Sequence, residues 1–147
     1  MFRNKIVLFL IILFCPAVLS AQSLCNEWIN YEQLYFKIPI YQEGIYKINY
    51  STLVNANVPI NSFDPRSIQI FRNGIEQTIY VSGEKDGVFN NSDYIEFYGK
   101  PNNGFDDSVL YKKSSNQANP YISLFSDTSY YYLTWNSSLN NKRLSVL

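Results

Sequence analysis

Carboxylates that could hold a cation are concentrated in one polar segment that begins at Ser82. Glu84, Asp86 and Asp93 occupy its third, fifth and twelfth positions, and Gly87 occupies the sixth. Calcium loops of twelve residues place oxygen ligands and a glycine at such positions, although they start with aspartate and end with glutamate. The segment therefore has two interpretations. It is either a calcium site at Glu84, Asp86 and Asp93, or a polar loop whose side chains are solvated or make local turns with the backbone.

Aromatic rings near the C-terminal end form a second candidate site. Tyr130, Tyr132 and Trp135 could offer flat faces with a polar tip to a glycan or a peptide. Neighbouring side chains on a strand point to opposite faces, so only alternate members of this run can share one surface. Packing of one side into a core is the competing interpretation.

Residues for catalysis are missing from the sequence. It contains no histidine, so Cys25 has no imidazole to act as its base. No pair of carboxylates is placed by the sequence into acid and base positions. We therefore predict no enzymatic activity for this chain and no cofactor, with calcium as the one candidate ion.

The N-terminus has the three parts of a secretory signal peptide. Arg3 and Lys5 form a basic head, an apolar run covers residues 6–14, and small residues lead to a cleavage site after Ala21. The run is too short to span a bilayer, so we expect no transmembrane anchor after cleavage. The mature chain is predicted to reach the periplasm, the cell surface or the extracellular space. Cys25 is then its single cysteine and cannot form an internal disulfide.

The charge distribution argues against two classes of partner. The sequence has 12 basic and 12 acidic side chains, and Lys112-Lys113 and Lys142-Arg143 are the adjacent basic pairs after the signal, too few to form a basic stripe. Nucleic acids and anionic lipid surfaces are bound by clustered positive charge. Neither partner is predicted.

Composition and periodicity predict an all-β domain. Tyrosine and phenylalanine are abundant, and turn signals recur about every ten residues, as in a sandwich or barrel of short antiparallel strands. We predict an antiparallel β-sandwich or a partly open barrel with one short helix. The division of the chain is a signal peptide (1–21), a lead-in (22–33), the β domain (34–136) and the start of a further segment that continues beyond Leu147 (137–147). Strands are expected at residues 35–40, 45–50, 67–71, 75–81, 93–99, 121–125 and 130–135.

The connections follow from turn and cap residues. Gly44 predicts a hairpin between the first two strands, and Asn73-Gly74 is a strong signal for a second hairpin whose return strand covers residues 75–81. Ser51 could cap a helix over residues 51–57.

Several of these segments, in this order and spacing, resemble the region before the catalytic domain of gingipain-type cysteine peptidases, the family that contains the type IX secretion sortase. The resemblance covers most of residues 35–135 and implies an all-β region followed by a caspase-like α/β peptidase domain with a histidine–cysteine dyad. Neither dyad residue is present here, so no catalytic role is carried over. The resembling segments are Gly44–Ile48 with Tyr50 and Leu53, Asp64–Arg66 with Ile68–Phe71 and Asn73-Gly74, Asp86-Gly87 with Phe89 and Asp93–Gly99, and Ser123–Phe125 with Asp127 and Tyr130–Trp135.

Two functions from different classes are consistent with the sequence. The first is a non-catalytic N-terminal module that packs against or positions the catalytic domain of the same parent chain, or contacts components of the secretion system. The second is a free-standing secreted adhesion or carbohydrate-binding β-sandwich whose exposed tyrosines contact a ligand.

Overall fold

The computed structural model describes residues 26–145, so the predicted signal peptide and Cys25 lie outside the described residues. Within this range the chain forms seven strands, one α-helix and four short 3-10 helices. The strands are β1 (Phe36–Ile40), β2 (Gly44–Asn49), β3 (Ile68–Arg72), β4 (Ile75–Glu76), β5 (Ile79–Val81), β6 (Tyr94–Gly99) and β7 (Ser129–Trp135). The helix α1 covers Tyr50–Asn55, and the 3-10 helices cover Pro65–Ser67, Glu84–Asp86, Asp106–Leu110 and Ser114–Asn116.

The strands form two antiparallel sheets. Sheet 1 has the order β1-β7-β3-β4, and sheet 2 has the order β2-β6-β5. Neither sheet closes on itself within residues 26–145. The prediction of an all-β fold with one short helix is confirmed, and the architecture is a small sandwich-like pair of sheets.

Inward-facing side chains from both sheets build one apolar core. The ring centroids of Phe97 on β6 and Tyr131 on β7 lie 5.4 Å apart, so the two sheets touch through aromatic contacts. Ile70 on β3 and Ile95 on β6 are completely buried. Burying a side chain of this size contributes about 1.5–3 kcal/mol relative to leaving it exposed, so these alternating positions hold the sheets together.

The predicted hairpin between the first two strands is wrong. β1 pairs with β7 in sheet 1, whereas β2 pairs with β6 in sheet 2. The turn at Tyr41–Glu43 therefore carries the chain from one sheet to the other. Ile40 and Ile48 then face the same core from opposite sides, which two strands of a single sheet would not achieve.

The Asn73-Gly74 hairpin between β3 and β4 is confirmed, but its return strand is shorter than predicted. β4 contains only two residues, and β5 belongs to sheet 2. Ile75 is largely exposed, whereas Ile79 is completely buried opposite Phe97. Burial of Ile79 therefore places the second half of the predicted strand in the other sheet.

The predicted helix is present with different ends. α1 begins at Tyr50 and is preceded by Asn49, whose side chain makes no cap hydrogen bond, so the predicted Ser51 cap is wrong. Leu53 is its buried residue. Asn57 then adopts a positive φ of 57°, which ends the helical path just before Pro59.

The predicted strand over residues 121–125 is wrong. This segment has no strand pairing, and Tyr121, Leu124 and Phe125 point to solvent. Its polar residue Ser123 faces inward instead and donates a hydrogen bond to Asp107. The apolar side chains of this segment therefore do not face the core.

Candidate interaction surfaces

Two carboxylates of the polar segment, Asp86 and Asp93, accept hydrogen bonds from neighbouring residues of the same loop. Asp86 accepts from the backbone N–H of Val88 at 3.0 Å, which is a local turn contact. Asp93 is 6% exposed and accepts from the backbone N–H of Asn90 at 2.6 Å. These contacts match the second interpretation, a polar loop with side-chain to backbone turns.

Glu84 is engaged by a basic side chain from a distant part of the sequence. The Nε of Arg143 donates to Glu84 Oε2 at 2.8 Å. Across residues 26–145, no group of three or more acidic, cysteine or histidine side chains has an arrangement suited to a metal ion. The first interpretation, a calcium site at Glu84, Asp86 and Asp93, is the one that the titration described below tests.

The predicted aromatic site is divided between two faces of β7. Tyr130 and Tyr132 lie on the outer face of sheet 1, whereas Trp135 lies on the inner side, where its ring stacks on Phe63 with centroids 4.2 Å apart. Lys37 Nζ lies 3.5 Å from the centroid of the Tyr130 ring, a cation–π contact that covers one face of that ring. The structure thus brings together two of the three predicted ligand residues.

The N-terminal segment covers part of this outer face. Trp28 stacks on Phe71 with ring centroids 5.3 Å apart, and its ring centroid lies 5.8 Å from that of Tyr132. Thr134 is buried and donates from its hydroxyl to the carbonyl of Leu34 at 2.8 Å. Tyr132 is therefore part of an intramolecular aromatic cluster, which leaves Tyr130 as the exposed member of the predicted set.

A second tyrosine-bearing surface, which the sequence analysis did not single out, lies on the outer face of sheet 2. Tyr94 and Tyr98 project from the same face of β6, and the centroid of the Tyr80 ring on β5 lies 6.0 Å from that of the Tyr94 ring. Lys47 Nζ lies 3.4 Å from the centroid of Tyr94. A hydrogen bond from the Tyr98 hydroxyl to Glu43 raises the pKa of Tyr98, because it stabilises the neutral donor form.

The most exposed apolar surface lies on the long connection between β6 and β7, in residues 104–125, which we call the apolar loop. Seven of its large apolar side chains are more than 60% exposed. They are Phe105, Val109, Leu110, Tyr121, Ile122, Leu124 and Phe125. Single exposed apolar residues are normal on a protein surface, but such a concentration in one loop is typical of an interaction site.

Polar contacts inside the apolar loop hold its two ends together. The buried carboxylate of Asp107 accepts from Ser123 at 2.6 Å and from Asn102 at 3.1 Å. Hydrogen bonds from these two side chains lower the pKa of Asp107, because they stabilise its charged form. A Cβ on Gly104 would meet the backbone of Ile122 at 2.7 Å, so the two arms of the loop pack closely.

The apolar loop was missed because its residues are good strand formers. The aromatic and aliphatic residues of 121–125 predict a strand when the segment is considered alone. The available signal was the flanking composition, since Asn119-Pro120 precedes the segment and the stretch before it is polar without a pairing partner.

Comparisons of the chain with protein-family models, with curated proteins and with solved structures found no match. In the part of the chain that the structure describes, no helix is long and apolar enough to cross a membrane.

Proposed function

We propose that this chain is a non-catalytic β module of an exported gingipain-type, sortase-like cysteine peptidase, and that it packs against or positions a catalytic domain located elsewhere in the parent chain. The observation that carries the proposal is the apolar loop. Its polar side chains are satisfied within the protein, Asp107 by Ser123 and Asn102 and Asp106 by Arg72, while its large apolar side chains face outward. Exposed apolar side chains lower the solubility of a protein and add nothing to its core. Their presence in one loop is explained if an apolar surface of the catalytic domain covers the loop.

Three further observations support this function over catalysis by the chain itself. The sequence has no histidine, the resemblance of residues 35–135 is to the region before a peptidase domain, and the signal peptide predicts export. The described residues form two sheets around one core, which is a rigid scaffold for presenting a loop.

The first test is the nucleotide sequence downstream of Leu147. We expect an open reading frame that encodes a histidine and a later cysteine in an α/β pattern. A stop codon directly after Leu147 in the genome would refute the peptidase proposal.

The second test uses the peptidase domain encoded by that frame. Titration calorimetry would measure its affinity for the mature module, for a Leu110→Ser, Ile122→Ser, Phe125→Ser variant, and for an Ile45→Ser control. Ile45 is as exposed as the loop residues but lies on the outer face of sheet 2. We expect the loop variant to bind at least tenfold more weakly and the control to bind normally. Equal affinities would refute the role of the loop, and binding of the loop to lipid vesicles instead would identify a membrane contact.

The alternative function is a secreted adhesion or carbohydrate-binding sandwich, and the observation that favours it is the outer face of sheet 2. Tyr80, Tyr94 and Tyr98 share this face with Lys47. A glycan array probed with the mature module tests this function. Binding that is lost when the three tyrosines are changed to alanine, but kept in a Tyr130→Ala control, would support it over the first proposal.

A further inference from the structure

The segment after β7 crosses from sheet 1 to the free edge of sheet 2. We call residues 141–145 the exit segment. The backbone N–H of Leu144 donates to the carbonyl of Ile79 at 2.9 Å, and the N–H of Ile79 donates to the carbonyl of Lys142 at 3.4 Å. Ile79 and Arg143 therefore form a parallel bridge at the edge of β5. The exit segment extends the hydrogen bonding of sheet 2 beyond β5.

One side chain of the exit segment also reaches the beginning of sheet 1. Arg143 donates to the carbonyl of Ile68, where β3 begins, at 3.0 Å and to the carbonyl of Arg66 at 2.8 Å. The same guanidinium is paired with Glu84 at 2.8 Å, and its side chain is 19% exposed. A guanidinium has five N–H donors in a fixed fork, and this one distributes them over a carboxylate and several backbone carbonyls.

The neighbouring residues of the exit segment strengthen the same attachment. Asn141 donates from its side-chain amide to the carbonyl of Arg66 at 3.0 Å. The backbone N–H of Lys142 donates to Glu76 Oε1 at 2.9 Å. Every residue from 141 to 144 therefore bonds to a residue at least 65 positions earlier in the sequence, and the segment is not a free tail.

We propose that Arg143 is a latch that fixes the exit segment on the edge of β5, and thereby sets the direction in which polypeptide beyond it leaves the sandwich. The purpose of the latch rests on the proposed function, because a module that positions a neighbouring domain needs a fixed connection to it. The chemistry is that of charge-assisted hydrogen bonds, which are shorter and stronger than neutral ones. Glu84 acts as the positioning partner of Arg143.

Hydrogen exchange of the mature chain tests the latch directly. In Arg143→Ala we expect the amides of Leu144 and Ile79 to exchange at least tenfold faster, while the amide of Leu133 in the centre of sheet 1 changes less than twofold. Glu84→Gln keeps the size of the partner, and we expect a smaller acceleration at the same two amides. The control is Lys85→Ala, which removes a positive charge from an exposed side chain beside Glu84.

Two outcomes would overturn the proposal. Unchanged exchange at Leu144 in both variants would mean that backbone pairing alone holds the segment. Equal acceleration across the whole chain, in Glu84→Gln as well as in Arg143→Ala, would mean that the pair supports global stability and has no local effect.

A distance measurement tests the direction of the exit segment. Nitroxide labels would be placed at Ser145 and at Lys47 on the outer face of β2, in a Cys25→Ser background. We expect a narrow distribution of distances in the parent protein and a broad one after Arg143→Ala. A broad distribution in both would refute the latch. These measurements need no partner, so failure of the latch would leave docking by the apolar loop unaffected, and loss of docking would leave the latch intact.

Discussion

Gly83 and Gly87 provide a matched test of packing in the polar segment. Both have a left-handed backbone, with φ of 77° and 78°. A Cβ on Gly83 would overlap the carboxylate of Asp93, whereas a Cβ on Gly87 would lie 3.4 Å from Asp64, an ordinary contact. Substitution of either glycine by alanine therefore places a non-glycine residue in a left-handed conformation, with the same energetic cost at both positions. Only Gly83→Ala also requires the side chain of Asp93 to move.

The expected magnitudes follow from these two contributions. A left-handed conformation costs a non-glycine residue about 1–2 kcal/mol, so this is the whole expected effect of Gly87→Ala. In Gly83→Ala, displacement of Asp93 also breaks its buried hydrogen bond from the Asn90 N–H. An unsatisfied buried group costs about 1–3 kcal/mol more, which gives a total of about 2–5 kcal/mol.

Urea unfolding followed by tryptophan fluorescence would measure both variants. The free energy of unfolding should fall further for Gly83→Ala than for Gly87→Ala by at least about 1 kcal/mol, with unchanged dependence on urea. Losses that agree within about 0.5 kcal/mol would show that Asp93 does not occupy the space beside Gly83, and the reasoning would be wrong.

Three further predictions concern the carboxylates and the aromatic core. The lowered pKa of Asp107 means that its contribution to the order of the apolar loop is present above about pH 4 and is lost as the pH falls through the folded-state value. The hydrogen-exchange protection factors of residues 104–125, which are corrected for the intrinsic exchange rate at each pH, should therefore fall in acid, and Asp107→Asn should remove this dependence. Calcium should leave the melting temperature unchanged, because Glu84 is paired with Arg143 and Asp93 is buried; a rise that disappears in Glu84→Gln would establish the calcium site instead. Tyr131→Phe should lower the free energy of unfolding in urea by about 1–3 kcal/mol, because the buried Tyr131 hydroxyl accepts a hydrogen bond from the Lys100 N–H at 2.9 Å. The control Tyr130→Phe changes an exposed side chain and should leave the free energy of unfolding almost unchanged. Equal losses in the two variants would contradict this assignment.

Local patterns in the sequence were sufficient for most strand positions. Alternation of apolar side chains indicated β2 and β3, and runs of aromatic and β-branched residues indicated β1, β6 and β7. The Asn73-Gly74 turn indicated the hairpin that joins β3 and β4 in sheet 1. Alternation shows that a strand has one buried face, but it does not identify the strand that lies beside it. The partner of β1 is β7, almost a hundred residues later, and no local signal specifies that choice.

The candidate sites show the same limit. Successive side chains on a strand point to opposite faces, so the sequence alone places Tyr130 and Tyr132 on one face of β7 and Trp135 on the other. The pairing of Glu84 with Arg143 could not, because it depends on the crossing of the exit segment to sheet 2. For the apolar loop the one sequence signal was its polar flank with Asn119-Pro120, because exposure of a β-forming segment follows from the lack of a neighbouring strand.

The pairing of the first strand with the last has a consequence for the order of folding. Phe36 on β1 is opposite Leu133 on β7, so sheet 1 cannot be completed until nearly the whole domain is available. Contacts between such distant residues slow folding, because the intervening chain must be ordered before they form. For export through the signal peptide that the sequence predicts, such late completion of sheet 1 would keep the core open while the chain crosses the inner membrane.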